Sequence, residues 1–382
     1  MEHALGERAR VAEGSAVRVV LAGGGTGGHV YPSLAVGRAL ADETSARGEE
    51  LELLYIGIHG REDEKLVPRE GIAFRAISAG PMRVSSPIAF VGNVVKLARG
   101  TLQSIAILRG FEPDAVFATG GYASVPVGIA ARLLRQPLVV YLPDVTPGLA
   151  VRLLSRVATR MTTTSEQALK YLPAKKTSVV VGYPVRPEFW SVDRAGARAR
   201  FGIDADANVV LVTAGSLGAR AINDAVGAAL PRLLEQAYVI HVTGVDGEAA
   251  AQERRAGLPA EQQARYRVHA YLDEMPAAMI AADLVVCRSG ASSIGELPAA
   301  GAASILVPGE YEGWSQAPNA EYMRERGAAV VLRNAELARL GDVIIELLED
   351  ETRLAAMRAA SSELARPDAA RDLARALMEV AA

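Results

Sequence analysis

The chain has 382 residues, of which 50% are hydrophobic and 22% charged, and its formal net charge at neutral pH is −3. This length is enough for two domains that each bury a core, and the slightly acidic balance gives no indication of a nucleic-acid partner. The single cysteine, Cys287, excludes a disulfide framework, and the five histidines do not lie at metal-ligand spacing, so we expect no metal. We expect no cofactor either.

The chain begins with a polar segment, residues 1–16, that lacks the apolar core of a signal peptide. We interpret it as a flexible tail. No later run is long and apolar enough to span a bilayer, and the lack of disulfides fits a reducing cytoplasm.

The first predicted strand, Val17–Ala22, continues directly into the loop Gly23-Gly24-Gly25-Thr26-Gly27-Gly28-His29, and residues 32–40 then have the pattern of an amphipathic helix. A glycine loop between a strand and a helix presents backbone N–H groups and a helix N-terminus to an anion. His29 adds a proton-accepting side chain at the mouth of this site. Alternatively, His29 only hydrogen-bonds the backbone at the start of the helix.

The stretch from residue 71 to residue 165 is poor in acidic side chains, with only Glu112, Asp114 and Asp144, but it is rich in arginine. Within it, residues 87–97 are apolar with basic flanks. Two interpretations stay open: a segment that binds an anionic membrane surface, or an ordinary core helix with solvated arginines.

The second half of the chain repeats this opening. Residues 209–214 form an apolar strand, residues 215–220 a second glycine loop, and residues 221–234 a predicted helix. Further strands are predicted at 51–56, 115–118, 138–141 and 160–164 in the first half, and at 239–243, 266–270, 284–287 and 303–307 in the second. The alternation predicts an α/β protein with two doubly wound, Rossmann-like parallel-sheet domains.

The boundary between the domains is predicted near residues 182–187, where Pro184 and Pro187 bracket Arg186. Ligands of doubly wound sheets bind at the carboxyl ends of the strands. Two facing domains would therefore form one interdomain cleft with glycine loops on both walls.

A third loop, residues 288–297, follows the predicted strand 284–287 and opens a helix. Its small and hydroxylated residues, among them Ala291, Ser292 and Ser293, are typical of a diphosphate cradle. Glu296 falls about one turn into the helix, where a carboxylate can accept hydrogen bonds from both hydroxyls of a ribose. Alternatively, Glu296 is a first-turn acid that complements the helix dipole.

Six motifs in this order resemble the glycosyltransferases of the GT-B fold, and within them the enzymes that add N-acetylglucosamine to a lipid-linked muramyl-pentapeptide. They are residues 24–32, 119–126, 182–186, 215–223, 287–297 and 316–319, so the resemblance extends over nearly the whole chain. It implies an inverting transferase of peptidoglycan synthesis, peripheral to the cytoplasmic face of the cell membrane, whose partners are UDP-GlcNAc, a lipid-diphosphate acceptor and the anionic membrane surface.

The resemblance also implies that different parts of the chain have different functions. Residues 17–184 would bind the acceptor and face the membrane, residues 185–365 would bind the UDP-sugar, and residues 366–382 would form a C-terminal helix that could pack back on the first domain.

Roles for single residues follow from the same resemblance. His29 and Asp144 are the candidate catalytic residues, because the attacking hydroxyl must lose a proton. The donor would be bound by Thr26, Gly27, Arg186, Ser216, Leu272, Met275, Ala291, Ser292, Ser293, Glu296 and Gln316. The acceptor would be bound by Gly24, Gly25, Gly28, Gly120, Gly121 and Tyr122.

Two segments depart from the family pattern. Tyr141-Leu142-Pro143-Asp144 stands where His-Glu-Gln-Asn is usual, and Glu312-Gly313-Trp314-Ser315 precedes Gln316 where the family commonly has an acidic pair and a His or Gln. Both changes concern acceptor and sugar recognition, whereas the UDP side is largely retained.

Several alternatives therefore stay open beside the peptidoglycan transferase. They are a transferase for another glycolipid or a small molecule, a UDP-GlcNAc 2-epimerase, and a sugar-binding protein without activity. A nicotinamide dehydrogenase is disfavoured, because Tyr55-Ile56-Gly57 ends the second strand without the ribose-binding acid that its fingerprint requires.

Overall fold

The computed structural model describes residues 16–24, 27–80, 87–174, 176–213, 219–311 and 314–381. The chain divides into two compact units. Unit 1 contains Met1–Leu142, Pro147–Val181 and Asp368–Ala382, and unit 2 contains Pro143–Thr146 and Gly182–Pro367. The short segment Pro143–Thr146 thus belongs to the second unit, whereas the boundaries expected from the sequence include it in the first.

Unit 1 is a parallel sheet with helices between its strands. The strands are β1 (Val17–Ala22), β2 (Leu51–Gly57), β3 (Ala73–Ala76), β4 (Ala115–Ala118), β5 (Leu138–Leu142), β6 (Arg160–Thr163) and β7 (Ser178–Val180). The helices are α1 (Gly27–Ala46), α2 (Glu62–Leu66), α3 (Pro87–Phe111), α4 (Ser124–Leu133) and α5 (Leu149–Leu154), with 3-10 turns at Val67–Glu70 and Glu166–Tyr171. The strand order is β3-β2-β1-β4-β5-β6-β7, and every pairing is parallel.

Unit 2 repeats this architecture. Its main strands and its small hairpin are β8 (Asn208–Thr213), β9 (Ala237–Val242), β10 (Tyr266–His269), β11 (Leu284–Cys287), β12 (Ala303–Leu306), β13 (Glu310–Tyr311), β14 (Trp314–Ser315) and β15 (Ala329–Val331). The helices are α6 (Glu188–Ser191), α7 (Arg194–Arg200), α8 (Arg220–Gln236), α9 (Val245–Ala256), α10 (Ala260–Arg265), α11 (Met275–Ala281), α12 (Ser293–Ala300), α13 (Ala317–Glu325), α14 (Leu340–Glu349) and α15 (Glu351–Glu363), with a 3-10 turn at Asn334–Arg339. The parallel sheet has the order β10-β9-β8-β11-β12-β15.

The last helix, α16 (Ala369–Ala381), follows unit 2 in sequence but packs on α1 and against β4 and β5 of unit 1. Its buried side chains include Leu373 and Leu377. An ion pair between Arg375 and Glu43, 3.0 Å long, adds a polar contact at the edge of this packing. The chain therefore ends in the unit in which it began.

The central strands are apolar on both faces because helices cover both sides of each sheet. All four residues of β4 and all five of β5 are buried, and the same holds for β11 and β12 in unit 2. These continuous apolar runs are the pattern from which the strands were predicted. The prediction of two doubly wound parallel-sheet domains is confirmed.

Every predicted strand is present, but the edge strands β3, β7 and β15 and the hairpin β13–β14 were not predicted. The three edge strands have only three or four residues and are partly exposed, so they lack a buried apolar run. Helix α1 begins at Gly27, earlier than the predicted residue 32, because the glycine loop itself turns into the helix.

Candidate functional site

The strand order reverses at one point in each sheet. The reversal lies between β1 and β4 in unit 1 and between β8 and β11 in unit 2. Ligands of doubly wound sheets bind at such a switch point, because the loops on its two sides leave the sheet in opposite directions and open a crevice. The three glycine-containing loops singled out in the sequence follow β1, β8 and β11, so they belong to these two switch points.

In unit 1 the switch point is lined by two glycine segments. Ala22 of β1 pairs with Ala118 of β4, so the residues after each strand leave the sheet side by side. Gly24, Gly120 and Gly121 have φ angles of 129°, 96° and 78°, a region that side chains disfavour. A Cβ atom on Gly121 would lie 2.4 Å from the carbonyl oxygen of Gly24, so this close approach also requires glycine.

His29 connects helix α1 to the loop after β4. Its Nδ1 lies 2.9 Å from the carbonyl oxygen of Thr119, and the Thr119 hydroxyl donates to the carbonyl oxygen of His29 over 3.0 Å. Because a carbonyl can only accept, Nδ1 carries the hydrogen and the lone pair of the neutral ring is on Nε2. The site therefore holds a histidine of defined tautomer whose Nε2 is the basic atom.

The structure thus brings together Gly24, His29, Gly120 and Gly121, four of the residues expected at the acceptor side or in catalysis. A Cβ on Gly120 would lie 3.3 Å from Cε1 of His29. The other expected residues of unit 1 are near in sequence: Gly27 and Gly28 form the first turn of α1, and Tyr122 follows Gly121. Gly25 and Thr26 lie outside the described residues.

In unit 2 the loop after β11 is held by hydrogen bonds from its own serines. Ser289 is buried, and its hydroxyl donates to the carbonyl oxygen of Gln316 over 3.0 Å. Ser293, the first residue of α12, donates to the carbonyl oxygen of Gly290 over 2.6 Å. Ala291 and Ser292 stand between them, directly before the N-terminus of α12. The expected diphosphate-cradle residues therefore lie together directly before a helix N-terminus, and their role stays a prediction.

Gln316 is buried, and its Oε1 accepts from the N–H of Gly309 over 2.9 Å. Its Nε2 lies 3.5 Å from the position that a Cβ on Gly290 would take. The carboxamide therefore lies between the loop after β12 and the loop after β11.

Glu296 sits in the first turn of α12 and is paired with Arg186. Its Oε1 lies 3.7 Å from a guanidinium nitrogen of Arg186. Burial raises the pKa of Glu296, and the nearby charge of Arg186 opposes that rise. Gly295 makes this pair possible, because a Cβ there would lie 2.4 Å from Cβ of Tyr183 and would push away the segment that carries Arg186.

Asn319, at the start of α13, makes three hydrogen bonds that join two distant parts of the chain. Its Nδ2 donates to Oδ1 of Asp144 over 2.8 Å and to the carbonyl oxygen of Ser289 over 3.0 Å. Its Oδ1 accepts from the N–H of Val145 over 2.9 Å. Asp144 is thereby fixed beside the loop after β11.

Sequence reasoning placed Asn319 in the last of the six family motifs but did not include it among the site residues. The available signal was its spacing of three residues from Gln316 at the start of a helix, which places both side chains at the same helix end.

The remaining expected donor residues are more dispersed. Leu272 lies between β10 and α11 and is half-buried, and Met275 is the first residue of α11. Ser216 lies outside the described residues. Among the residues that the structure describes, no group of three or more His, Cys, Asp or Glu side chains could hold a metal ion.

Helix α3 carries exposed apolar and basic side chains along its length. Phe90, Val91, Val95 and Leu102 are 56%, 61%, 62% and 68% exposed, and Val94 is exposed as well. Lys96, Arg99 and Arg109 are exposed on the same helix, whereas Gly100, Ser104 and Leu108 are its buried side. We call these five apolar and three basic side chains the α3 surface. No described helix is long and apolar enough to cross a bilayer.

Comparisons with known proteins cover both units. Residues 19–163 match the glycosyltransferase family 28 N-terminal domain, and residues 209–373 match the glycosyltransferase family 28 C-terminal domain. A protein of Roseiflexus sp., named UDP-N-acetylglucosamine–N-acetylmuramyl-(pentapeptide) pyrophosphoryl-undecaprenol N-acetylglucosamine transferase, is 40% identical, and the match covers 94% of each chain.

Among solved structures, Acinetobacter baumannii MurG has a TM-score of 0.73 at 24% identity and covers 95% of this chain and 99% of its own. A UDP-GlcNAc 2-epimerase of Neisseria meningitidis, bound to UDP-GlcNAc, has a TM-score of 0.68 at 12% identity and covers 95% and 100%. At these identities the structural likeness shows the GT-B fold alone, whereas the sequence match with the Roseiflexus protein distinguishes between groups that share it. The chain therefore belongs to glycosyltransferase family 28, among the MurG transferases.

Proposed function

We propose that this chain transfers N-acetylglucosamine from UDP-GlcNAc to a muramyl-pentapeptide that is joined through a diphosphate to a polyprenol lipid, a step of peptidoglycan synthesis. The observation that carries this proposal is the 40% identity to the Roseiflexus transferase over 94% of both chains.

The donor is bound by unit 2. Glu296 accepts hydrogen bonds from the ribose hydroxyls, and the residues before α12, Ala291 and Ser292 with Ser293, hold the diphosphate at the helix N-terminus. Arg186 adds a positive charge at the diphosphate. Four further residues complete the donor site in the family manner, with Ser216, Leu272 and Met275 at the uracil side and Gln316 at the sugar; Thr26 and Gly27 of unit 1 are assigned to the donor as well.

The acceptor is bound by unit 1. Its diphosphate takes hydrogen bonds from backbone N–H groups of the loop after β1 and the loop after β4, at the N-terminus of α1. The residues are Gly24, Gly25, Gly28, Gly120, Gly121 and Tyr122. The close approach of Gly24 to Gly121 supports this assignment, because a phosphate can reach the backbone only where side chains do not cover it.

The reaction is a single displacement. The oxygen of the acceptor hydroxyl attacks the anomeric carbon, the bond from that carbon to the diphosphate oxygen breaks, and UDP leaves with the electron pair. The hydroxyl proton passes to a base. An α-linked donor therefore gives a β-linked product. Backbone N–H groups before α12 stabilise the charge that grows on the diphosphate.

Two groups are candidates for the base, Nε2 of His29 and the carboxylate of Asp144. Asn319 donates to Oδ1 of Asp144 over 2.8 Å, so a lone pair of this carboxylate is already engaged within the protein. We therefore assign the proton to His29 and give Asp144 the role of accepting a hydrogen bond from a substrate hydroxyl.

Acceptor lipids lie in a membrane, and the α3 surface supports binding there. Exposed valine and phenylalanine side chains beside lysine and arginine suit an anionic bilayer, where the apolar groups enter the interface and the cations contact phosphate. The proposed place of action is the cytoplasmic face of the cell membrane, with peripheral attachment.

Transfer of radiolabelled N-acetylglucosamine from UDP-GlcNAc to a synthetic lipid-diphosphate muramyl-pentapeptide tests the function. We expect a labelled lipid product, and UDP release that requires the acceptor. Formation of the 2-epimer without acceptor would replace the proposal by an epimerase. Transfer to a soluble glycoside but not to the lipid would replace it by another glycosyltransferase.

A further inference from the structure

A buried carboxyl group lies directly beneath the first glycine loop of unit 1. Asp63 belongs to the short helix α2, which follows β2, and it is completely buried. Its Oδ2 accepts a hydrogen bond from the N–H of Ile58 over 3.1 Å. Acidic side chains are rarely buried without a paired cation, so this position needs an explanation.

Two glycines make the room that this carboxyl occupies. A Cβ on Gly57, at the end of β2, would lie 2.1 Å from Oδ2 of Asp63, and a Cβ on Gly24 would lie 2.7 Å from the same atom. Gly24 also contacts Gly121 through its carbonyl oxygen. The backbone of Gly24 is therefore held between the Asp63 carboxyl on one side and the loop after β4 on the other.

Beneath the loop, Oδ1 of the buried Asp63 has no hydrogen-bond partner among the residues that the structure describes. The hydroxyl of Tyr55 is buried there as well. The Tyr55 hydroxyl lies 3.0 Å from the position of a Cβ on Gly23. Native proteins leave few buried polar atoms unpaired, and those that remain are often at functional sites. Both atoms here border the segment that is proposed to bind the acceptor.

We propose that Asp63 is a positioning residue for the lipid-diphosphate acceptor, because its carboxyl fixes the backbone of Gly24 in the conformation that receives the diphosphate. This inference rests on the proposed function of the loop after β1. Asp63 does not contact the substrate. It acts through Gly24, and the loss of its carboxyl should therefore change acceptor binding and leave donor binding in unit 2 as it is.

The charge of Asp63 is a further part of this role. Burial raises the pKa of Asp63, the N–H of Ile58 opposes the rise, and the adjacent carboxylate of Glu64 adds to it. A raised pKa favours the neutral carboxyl, which places less negative charge beneath a bound diphosphate than the carboxylate does. An asparagine has nearly the same shape and is neutral, so it should replace Asp63 with little loss.

The test compares Asp63→Ala with Asp63→Asn in the full chain, by measuring KM separately for the lipid acceptor and for UDP-GlcNAc. For Asp63→Ala we expect the acceptor KM to rise about 10-fold to 100-fold, the cost of a misplaced binding group, with the donor KM unchanged. For Asp63→Asn we expect both KM values to stay within about three-fold of the parent.

A matched control separates positioning from loss of stability. Thr44 is a buried polar residue of α1 in the same unit, far along the helix from the loop, and its hydroxyl bonds only within the helix. Thr44→Ala should lower the thermal midpoint without changing either KM. If Asp63→Ala changes the acceptor KM no more than Thr44→Ala, or shifts both KM values together, the proposal is wrong.

The remaining outcomes are also decisive. If Asp63→Ala does not fold, Asp63→Asn decides alone, and a raised acceptor KM in that folded variant overturns the proposal. If the parent chain turns over UDP-GlcNAc with this acceptor, the proposed function holds whatever the variants do. The two failures can therefore be distinguished.

Discussion

The switch point of each unit is built from a strand, a loop and a helix, but the buried acidic residue near it has different partners in the two units. In unit 1, Asp63 lies beneath Gly24 with hydrogen bonds from the backbone only. In unit 2, Glu296 lies in the first turn of α12 with Arg186 at 3.7 Å. Burial raises the pKa of both carboxyl groups, and at Glu296 the nearby charge of Arg186 opposes that rise. The buried acid near the switch point therefore has a cation beside it in unit 2 and a backbone N–H donor in unit 1.

If unit 1 supplies the base, the largest effect should come from His29. We expect His29→Ala to lower turnover about 10²-fold to 10⁴-fold, the usual contribution of a general base, with unchanged affinity for UDP. Steady-state kinetics and calorimetry with UDP measure the two quantities.

Asp144→Asn is the matched variant in unit 2. An amide oxygen can still accept from Asn319, so we expect a loss of only about 10-fold from a weakened hydrogen bond to substrate. A 10²-fold to 10⁴-fold loss in Asp144→Asn, with a small loss in His29→Ala, would move the base to unit 2.

Acid should weaken unit 2 through His241, whereas it should not weaken unit 1 through Asp63. His241 is buried between the Tyr266 hydroxyl at 2.8 Å and Oδ1 of Asn223 at 3.0 Å. Burial lowers the pKa of His241 to about 4, and Arg254 adds to this effect. The unfolded chain then binds the proton more readily, so stability is lost as pH falls from the ordinary histidine range. The raised pKa of Asp63 has the opposite sign, since its folded form binds the proton more readily.

We expect the free energy of unfolding of unit 2 to fall by roughly 2 kcal/mol between pH 7 and pH 5, because the unfolded chain binds a proton at His241 more readily than the folded unit does. Hydrogen exchange resolved by unit measures this, with His241→Gln as the variant that should abolish the pH dependence. Tyr266→Phe removes one hydrogen bond of the same histidine but keeps its titration, so it should retain the pH dependence. An unchanged slope in His241→Gln would assign the acid sensitivity elsewhere.

Glu296→Gln should weaken UDP binding by about 1–3 kcal/mol, because the neutral amide loses charge-assisted hydrogen bonds to the ribose. The matched control is Glu321→Gln, which removes an exposed glutamate of α13 that is paired with Arg324 in the same unit. Calorimetry with UDP compares the two variants. Equal affinities would leave Glu296 with only its role beside the helix dipole and would remove the contrast with Asp63.

The effect on membrane binding should be smaller than the effects above, and it should come from changes in unit 1 and not in unit 2. The double variant Val91→Asp and Val95→Asp should weaken binding to vesicles of anionic phospholipid by about 10-fold, and binding of the parent should fall as salt rises. Val245→Asp is the control, because Val245 is an apolar residue of unit 2 that is 74% exposed. Co-sedimentation measures all three proteins. Equal loss in both variants would mean that the α3 surface has no special role.

The sequence predicted the architecture because its signals are local. Continuous apolar runs such as those of β4 and β5 indicate buried parallel strands, and glycines after β1 and before α12 indicate anion loops wherever the chain goes next. The edge strands β3 and β7 lacked such a run and were missed. For the same reason Glu296 and His29 could be singled out, since each stands at the end of a recognisable loop.

The contacts that define the site were decided only by the tertiary structure. The carboxyl of Asp63 meets Gly24 of another strand's loop, and Asn319 reaches Asp144 across 175 positions of sequence. Neither pair leaves a trace in local periodicity, because a hydrogen bond between distant residues depends on how strands are ordered in the sheet. The amino-acid sequence by itself determined two doubly wound sheets and the loops at their switch points. Long-range packing determined which acid in each unit has a cation beside it, because burial and pairing of a charge exist only once the chain has folded.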